Sequence, residues 1–87
     1  MLIKGLIMHK KEEAIKLEMK EIDAILDKKL LTLNESQVAK VIGVSASTMA
    51  NHRKEGKGIE YKQFGGRILY SKRVVAKWLV ENNIKVA

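Results

Sequence analysis

The sequence predicts a mainly α-helical fold with one small β-hairpin, preceded by an N-terminal amphipathic helix. Three observations carry that expectation. Apolar residues recur at helical spacing from Ile15 to Leu30. A glycine, Gly43, separates two short segments that each follow a capping residue. Two β-prone runs flank Gly65-Gly66.

The first element is a helix over 9–30. Ile15, Met19, Ile22, Leu26 and Leu30 form its apolar stripe, with Lys and Glu elsewhere and Glu12–Lys16 at supporting four-residue spacing. The stripe serves either as a dimer seam or as a face packed on the rest of the chain. Two or three heptads are marginal for a free-standing coiled coil.

The pattern breaks from Leu31 to Asn34. Thr32 or Asn34 can cap a second helix, and Thr32 with Glu35 has capping-box spacing. That helix spans about Glu35 to Ile42, with Val38, Ala39 and Ile42 inward. Gly43 ends it, because glycine takes positive φ without steric cost, and Val44 is expected to plug the turn. Ser45 or Ser47 caps a third helix running to about Glu55, which Gly56 and Gly58 end. Alternation then gives a hairpin over 61–70 around Gly65-Gly66. Ser71 caps a last helix, about Lys72 to Asn82, whose buried face holds Val75, Trp78 and Leu79. All four aromatic residues fall in the last third, and Trp78 is the expected centre of the core.

Helix, turn, helix, hairpin, helix is the order of a winged helix-turn-helix. The residues Leu31-Thr32, Glu35, Val38-Ala39, Ile42-Gly43-Val44-Ser45, Ser47-Thr48, Gly56, Tyr61-Lys62, Gly65-Gly66-Arg67, Tyr70 and Trp78-Leu79 resemble the excisionase-type domains of that class. Those are relatives of the MerR-like DNA-binding domains and are common in phages and mobile elements. The resemblance covers about residues 31–82. It implies DNA binding, in transcription regulation or as an excisionase-like architectural factor. Two departures stand out. The family often has proline before the first wing strand, where this chain has Gly58-Ile59-Glu60, and often a Ser-Asp pair where this chain has Ser71-Lys72-Arg73. The expected division is a 1–30 helix for packing or dimerisation, a 31–83 DNA-binding domain and an 84–87 tail.

Charge points the same way. The 87 residues carry +7, with a sequence pI of about 9.8. Residues 1–37 balance seven Lys against seven acidic groups, whereas residues 51–73 alone carry a net +5. Concentrated positive charge is the footprint of a polyanion partner, or else a lysine-rich solvated surface.

Groove geometry assigns roles to individual residues. The third helix, about 46–55, is expected in the major groove, which admits an α-helix. Ser45, Ser47 and Thr48 at its start can meet phosphates or simply cap it. Asn51 and His52 can reach base edges, although His52 also reads as a plain surface residue. Arg53 can read a guanine or hold a phosphate, and Lys54 and Lys57 suit phosphates. The wing, 61–70, offers Lys62, Gln63 and Arg67 to the backbone or minor groove. Lys72 and Arg73 offer a further phosphate contact at the start of the last helix. Tyr61 and Tyr70 read as wing–core packing.

The expected function is therefore sequence-specific binding of double-stranded DNA. A single module of this kind buries only about 600–1,000 Å², so a homodimer through the N-terminal helix is a natural way to gain specificity. The alternative is a protein–protein interaction module on the same scaffold. RNA binding ranks lower, because the exposed stacking aromatics of single-strand readers are not expected. The chain has no cysteine, no paired-carboxylate cleft and no nucleophile–histidine–acid set, and Gly56-Lys57-Gly58 precedes a strand rather than a helix. An enzyme, a metal site and a cofactor are accordingly not expected. The apolar start, Met1 to Met8, is too short to span a bilayer, which needs about 20 residues. It has no cleavage site of the secretory kind, so the expected compartment is the cytoplasm.

Overall fold

In the computed structural model, which describes residues 2–27, 29–82 and 84 with side chains from Lys10 onward, the chain forms helices α1 (Leu2–Ile25), α2 (Glu35–Ile42), α3 (Ala46–Lys54) and α4 (Lys72–Glu81). Strands β1 (Thr32–Leu33), β2 (Lys62–Phe64) and β3 (Arg67–Ser71) make an antiparallel sheet of order β1-β3-β2. Among the described residues this is a mainly helical fold with a small three-stranded sheet.

The N-terminal helix is displaced from its expected span of 9–30. It begins by Leu2 and stops at Ile25. Its end has a local cause: Asp27 Oδ1 accepts from the Lys29 N–H at 2.9 Å, and the Leu30 N–H bonds the Asp27 carbonyl at 3.1 Å. A short carboxylate that captures a nearby N–H offers the backbone an alternative to the helix ladder. The apolar stripe itself is used within the chain. Ile15 and Ile22 are fully buried, and Met19, Leu26 and Leu30 pack against the same core. This α1 face lies on α4, so it is occupied by intramolecular packing rather than free as a dimer seam. Ile15 and Ile22 of α1 belong to the same hydrophobic core as Leu33, Val38, Tyr70 and Leu79.

Asn34, not Thr32, caps α2. Its side chain accepts from the Gln37 N–H at 2.8 Å, while Gln37 Oε1 accepts from the Asn34 N–H at 2.9 Å. The capping box is thus Asn34–Gln37. Thr32 is engaged instead in β1, opposite Ser71, with Leu33 opposite Tyr70. Val38, Ala39 and Val41 are the buried residues of α2, with Ile42 only partly covered. Gly43 closes the helix at φ +88, and its N–H and that of Val44 both bond the Ala39 carbonyl. Val44 is exposed at this turn rather than plugging it. Ser45 caps α3, accepting from the Thr48 N–H at 3.1 Å.

The hairpin register is Lys62↔Leu69, Gln63↔Ile68 and Phe64↔Arg67, which leaves Gly65-Gly66 as a two-residue loop. Gly65 has φ +61, the positive first position of a type II′ turn. Ser71 caps α4 by accepting from the Val74 N–H. Val75, Ala76 and Leu79 are buried there. Tyr70, at 1% exposure, is the largest fully buried side chain, and Trp78 only leans on the core from its edge. The centre expected at Trp78 therefore lies on the sheet, at Tyr70. Ile84 packs against the core and its N–H bonds the Leu79 carbonyl, so it is not a loose tail. Residues 85–87 lie outside the described residues.

Candidate nucleic-acid interface

The α3 helix divides its side chains by the helical repeat. Met49 points into the core, while Ser47, Asn51 and Lys54, at spacings of four and three, share the opposite, exposed face. Ala46 and Ala50 lie beside them. Their small side chains were not anticipated as part of this surface, although a bare helix flank allows close approach of another molecule. Ser45 and Thr48 are joined at the helix start, hydroxyl to hydroxyl at 2.8 Å. Ser45 is the cap, and Ser45 is exposed while Thr48 is half-buried. His52 is exposed, and its carbonyl accepts from the Lys57 N–H at 2.8 Å, folding the 55–58 turn back under α3.

Arg53 is held differently from its expected role. Its Nε donates to Glu35 Oε2 at 2.7 Å, and its Nη2 lies 3.4 Å from Oε1. The Tyr70 hydroxyl donates to the same Oε2 at 2.9 Å. The guanidinium also lies 5.8 Å from the centre of the Tyr61 ring, which tilts against Tyr70 at 6.2 Å. These contacts tie α2, α3 and the sheet together. They also set the ionisation of the group. The Arg53 hydrogen bond, aided by the Tyr70 hydroxyl, holds the Glu35 carboxyl below its ordinary value. Glu35 in turn raises Arg53. Burial, then the Glu35 hydrogen bond, pushes the Tyr70 phenol up to about 12. Arg53 is thus a tether between elements, with its charge compensated.

Beyond α3 the surface continues without a break. Arg53, Lys57, Glu60 and Tyr61 line one shallow dip that connects the end of α3 to β2. Lys57 makes only a loose, exposed pair with Glu55 at 3.6 Å. On the hairpin, the register separates residues that the sequence groups together. Lys62, Phe64, Arg67 and Leu69 share the outer face, whereas Gln63 and Ile68 share the face of Tyr70. Among the described residues, Lys54, Lys62 and Arg67 have no acidic group within 4 Å.

Lys72 and Arg73 belong elsewhere. Lys72 is 4% exposed, and its Nζ meets Asp23 Oδ1 of α1 at 2.7 Å. A buried ammonium held this way has no reach to an outside phosphate, which corrects its expected role. Arg73 grips Glu12 with Nη2 at 2.8 and 2.6 Å from the two carboxylate oxygens. That hydrogen bond is the main reason the Glu12 carboxyl is lowered, and Lys16, its expected helical partner, contributes less. The surface residue that sequence reasoning missed is Phe64, which is 77% exposed near the hairpin tip.

Among the described residues no group of three His, Cys, Asp or Glu is arranged to hold a metal ion. No described helix is long and apolar enough to cross a membrane. Comparisons with protein-family models, curated proteins and solved structures found no match to the chain.

Proposed function

We propose that this chain is a winged helix-turn-helix protein that binds double-stranded DNA sequence-specifically, as a transcriptional regulator or an excisionase-like architectural factor, in the cytoplasm and without catalysis or a cofactor. The observation that carries the reading is the pairing of two surfaces: the exposed α3 stripe of Ser47, Asn51 and Lys54, and the hairpin cations Lys62 and Arg67, which have no acidic partner among the described residues. A helix presenting Asn and Lys outward suits the major groove, where Asn reads adenine edges and Lys reads guanine or holds phosphate. Ala46 and Ala50 leave room for the thymine methyl group. The hairpin cations suit the flanking backbone or minor groove. The resemblance to excisionase-type domains, whose motifs fall on α2, the Gly43 turn, α3 and the hairpin, adds to this reading.

Dimerisation, if it supplies further specificity, uses a surface other than the stripe of Ile15 and Ile22. Leu31, 79% exposed, and Leu17, 58% exposed, favour a second reading in which the scaffold docks on a protein partner.

The test is fluorescence anisotropy on duplex DNA across a salt series, with the native chain, Lys54→Ala and Arg67→Ala. Binding that falls steeply with salt is expected, and each substitution lowers the slope of log K against log salt by about 1. A native chain that does not bind even at low salt sinks the proposal and turns attention to the protein-docking reading. Arg53→Ala is the wrong probe, because it also cuts the tether to Glu35.

A further inference from the structure

Exposed phenylalanine is costly to leave in water, and nothing in the fold calls for Phe64 where it stands. It is absent from the hydrophobic core and from the residues packed on it. It is the last residue of β2 before the two-residue loop, so it projects at the narrow end of the hairpin. Its cross-strand partner is Arg67, and its neighbours on the same face are Lys62 and Leu69. Lys62, Phe64 and Leu69 border a depression of about 360 Å³ at the sheet, also lined by Val74, whose one acidic side chain is Glu60, beyond the far end of β2 from the loop. An apolar ring is thus bracketed by two cations that lack acidic partners among the described residues.

We propose that Phe64 is a wedge that enters the minor groove and inserts between two base pairs, with Arg67 and Lys62 on the flanking phosphates. The inference rests on the duplex-binding reading. The occupant is a base step rather than a protein groove because of the charge around the ring. A protein partner for Phe64 would have to supply acids to match Lys62 and Arg67, whereas a duplex supplies them on both sides of every step. Apolar side chains inserted this way unstack a base step and kink the duplex, and the bent duplex wraps more protein surface, which offsets the unstacking. The hairpin's narrow tip fits a groove only about 6 Å wide. Flexible TA and CA/TG steps are the ones expected to accept the ring.

The experiment uses the full chain and mixed-sequence duplexes of about 25 base pairs, rich in flexible pyrimidine–purine steps. Each duplex carries 2-aminopurine at a different step and a donor–acceptor dye pair at its ends. Native protein is expected to raise 2-aminopurine fluorescence at one or a few steps and to shorten the end-to-end distance. Phe64→Ala is expected to abolish both signals and weaken binding about tenfold, the scale of losing one aromatic stacking contact. Its slope of log K against log salt stays at the native value, since no cation is removed. Phe64→Trp restores the fluorescence signal. The urea midpoint of Phe64→Ala stays at the native value, because the ring makes no core contact. If native protein binds with a steep salt slope but produces neither unstacking nor bending, or if Phe64→Ala retains both, the wedge is overturned and the duplex-binding reading stands. If native protein does not bind duplex at all, both fall.

Discussion

The seam between α1 and α4 and the surface formed by α3 and the hairpin treat basic residues in opposite ways. Along the seam, cations meet carboxylates: Lys72 has Asp23, Arg73 has Glu12, and Lys11 has Glu81 at 2.9 Å. On the other surface Lys54, Lys62 and Arg67 stand without one among the described residues, and the paired Arg53 serves to join elements. Net charge by segment cannot distinguish these situations, because it counts Lys72 and Lys62 alike. What separates them is the partner supplied by a distant part of the chain. Positive charge in this protein therefore has two uses, holding α1 in place and facing outward, and the difference lies in tertiary contacts.

The largest effect that sharpens this contrast is expected in the seam. Ile22→Ala removes a fully buried side chain and should lower stability by about 2–5 kcal/mol in urea denaturation. An unchanged urea midpoint would mean that α1 is not integral to the fold. Next comes Tyr70→Phe, which deletes the hydroxyl donated to Glu35 and should cost about 1–3 kcal/mol. Alkaline titration probes the same contact. Because the folded phenol is raised from 10 to about 12, its contribution is complete below pH 10 and is lost as pH rises through 12. Tyrosinate absorbance that rises together with loss of helical circular dichroism would show this, and a Tyr70 signal near 10 with the fold intact would refute it.

Acid acts on the tether from the other side. The folded Glu35 carboxyl lies below its ordinary 4.5, so its contribution is present above that value and disappears as pH falls through the lower, folded one. Native protein should lose stability over this range more steeply than Glu35→Gln, followed by urea midpoints at each pH. The sharpest comparison between the two surfaces is read in the salt dependence of binding rather than in stability. Lys72→Met should leave the salt slope of duplex binding at its native value, whereas Arg67→Ala lowers it by about 1. Equal slopes for the two variants would erase the distinction between the two surfaces. The smallest effect is expected for Arg73→Ala. Its pair with Glu12 is half exposed on both sides, and such pairs contribute little in water, so the urea midpoint should not move measurably.

Elements specified by near neighbours were readable from the sequence. The Gly43 turn, the Ser71 cap and the Gly65-Gly66 loop depend on residues close together in the chain, and the cap of α3 was narrowed to Ser45 or Ser47. Features made by distant pairings were not. Strand β1 is two residues long and exists only because β3 lies beside it. Glu35 meets Arg53 across 18 positions and Asp23 meets Lys72 across 49, distances over which side-chain pairing leaves no periodic trace. The cap of α2 stayed open between Thr32 and Asn34 because both spacings are chemically sound and only the strand pairing of Thr32 decides between them. Phe64 did leave a signal. Once a two-residue loop is placed at Gly65-Gly66, alternation puts Phe64 on the same face as Lys62 and opposite Arg67, away from Tyr70.

The division of labour along α3 has a consequence for descent with change. Met49 and Arg53 anchor the helix, and Ser47, Asn51 and Lys54 anchor nothing. If the proposed duplex binding holds, substitutions at those three positions would change what the helix recognises while the scaffold stays intact. Copies of this chain could then diverge in target by a few codon changes, each intermediate still folding, so that one small architecture would furnish an alphabet of addresses.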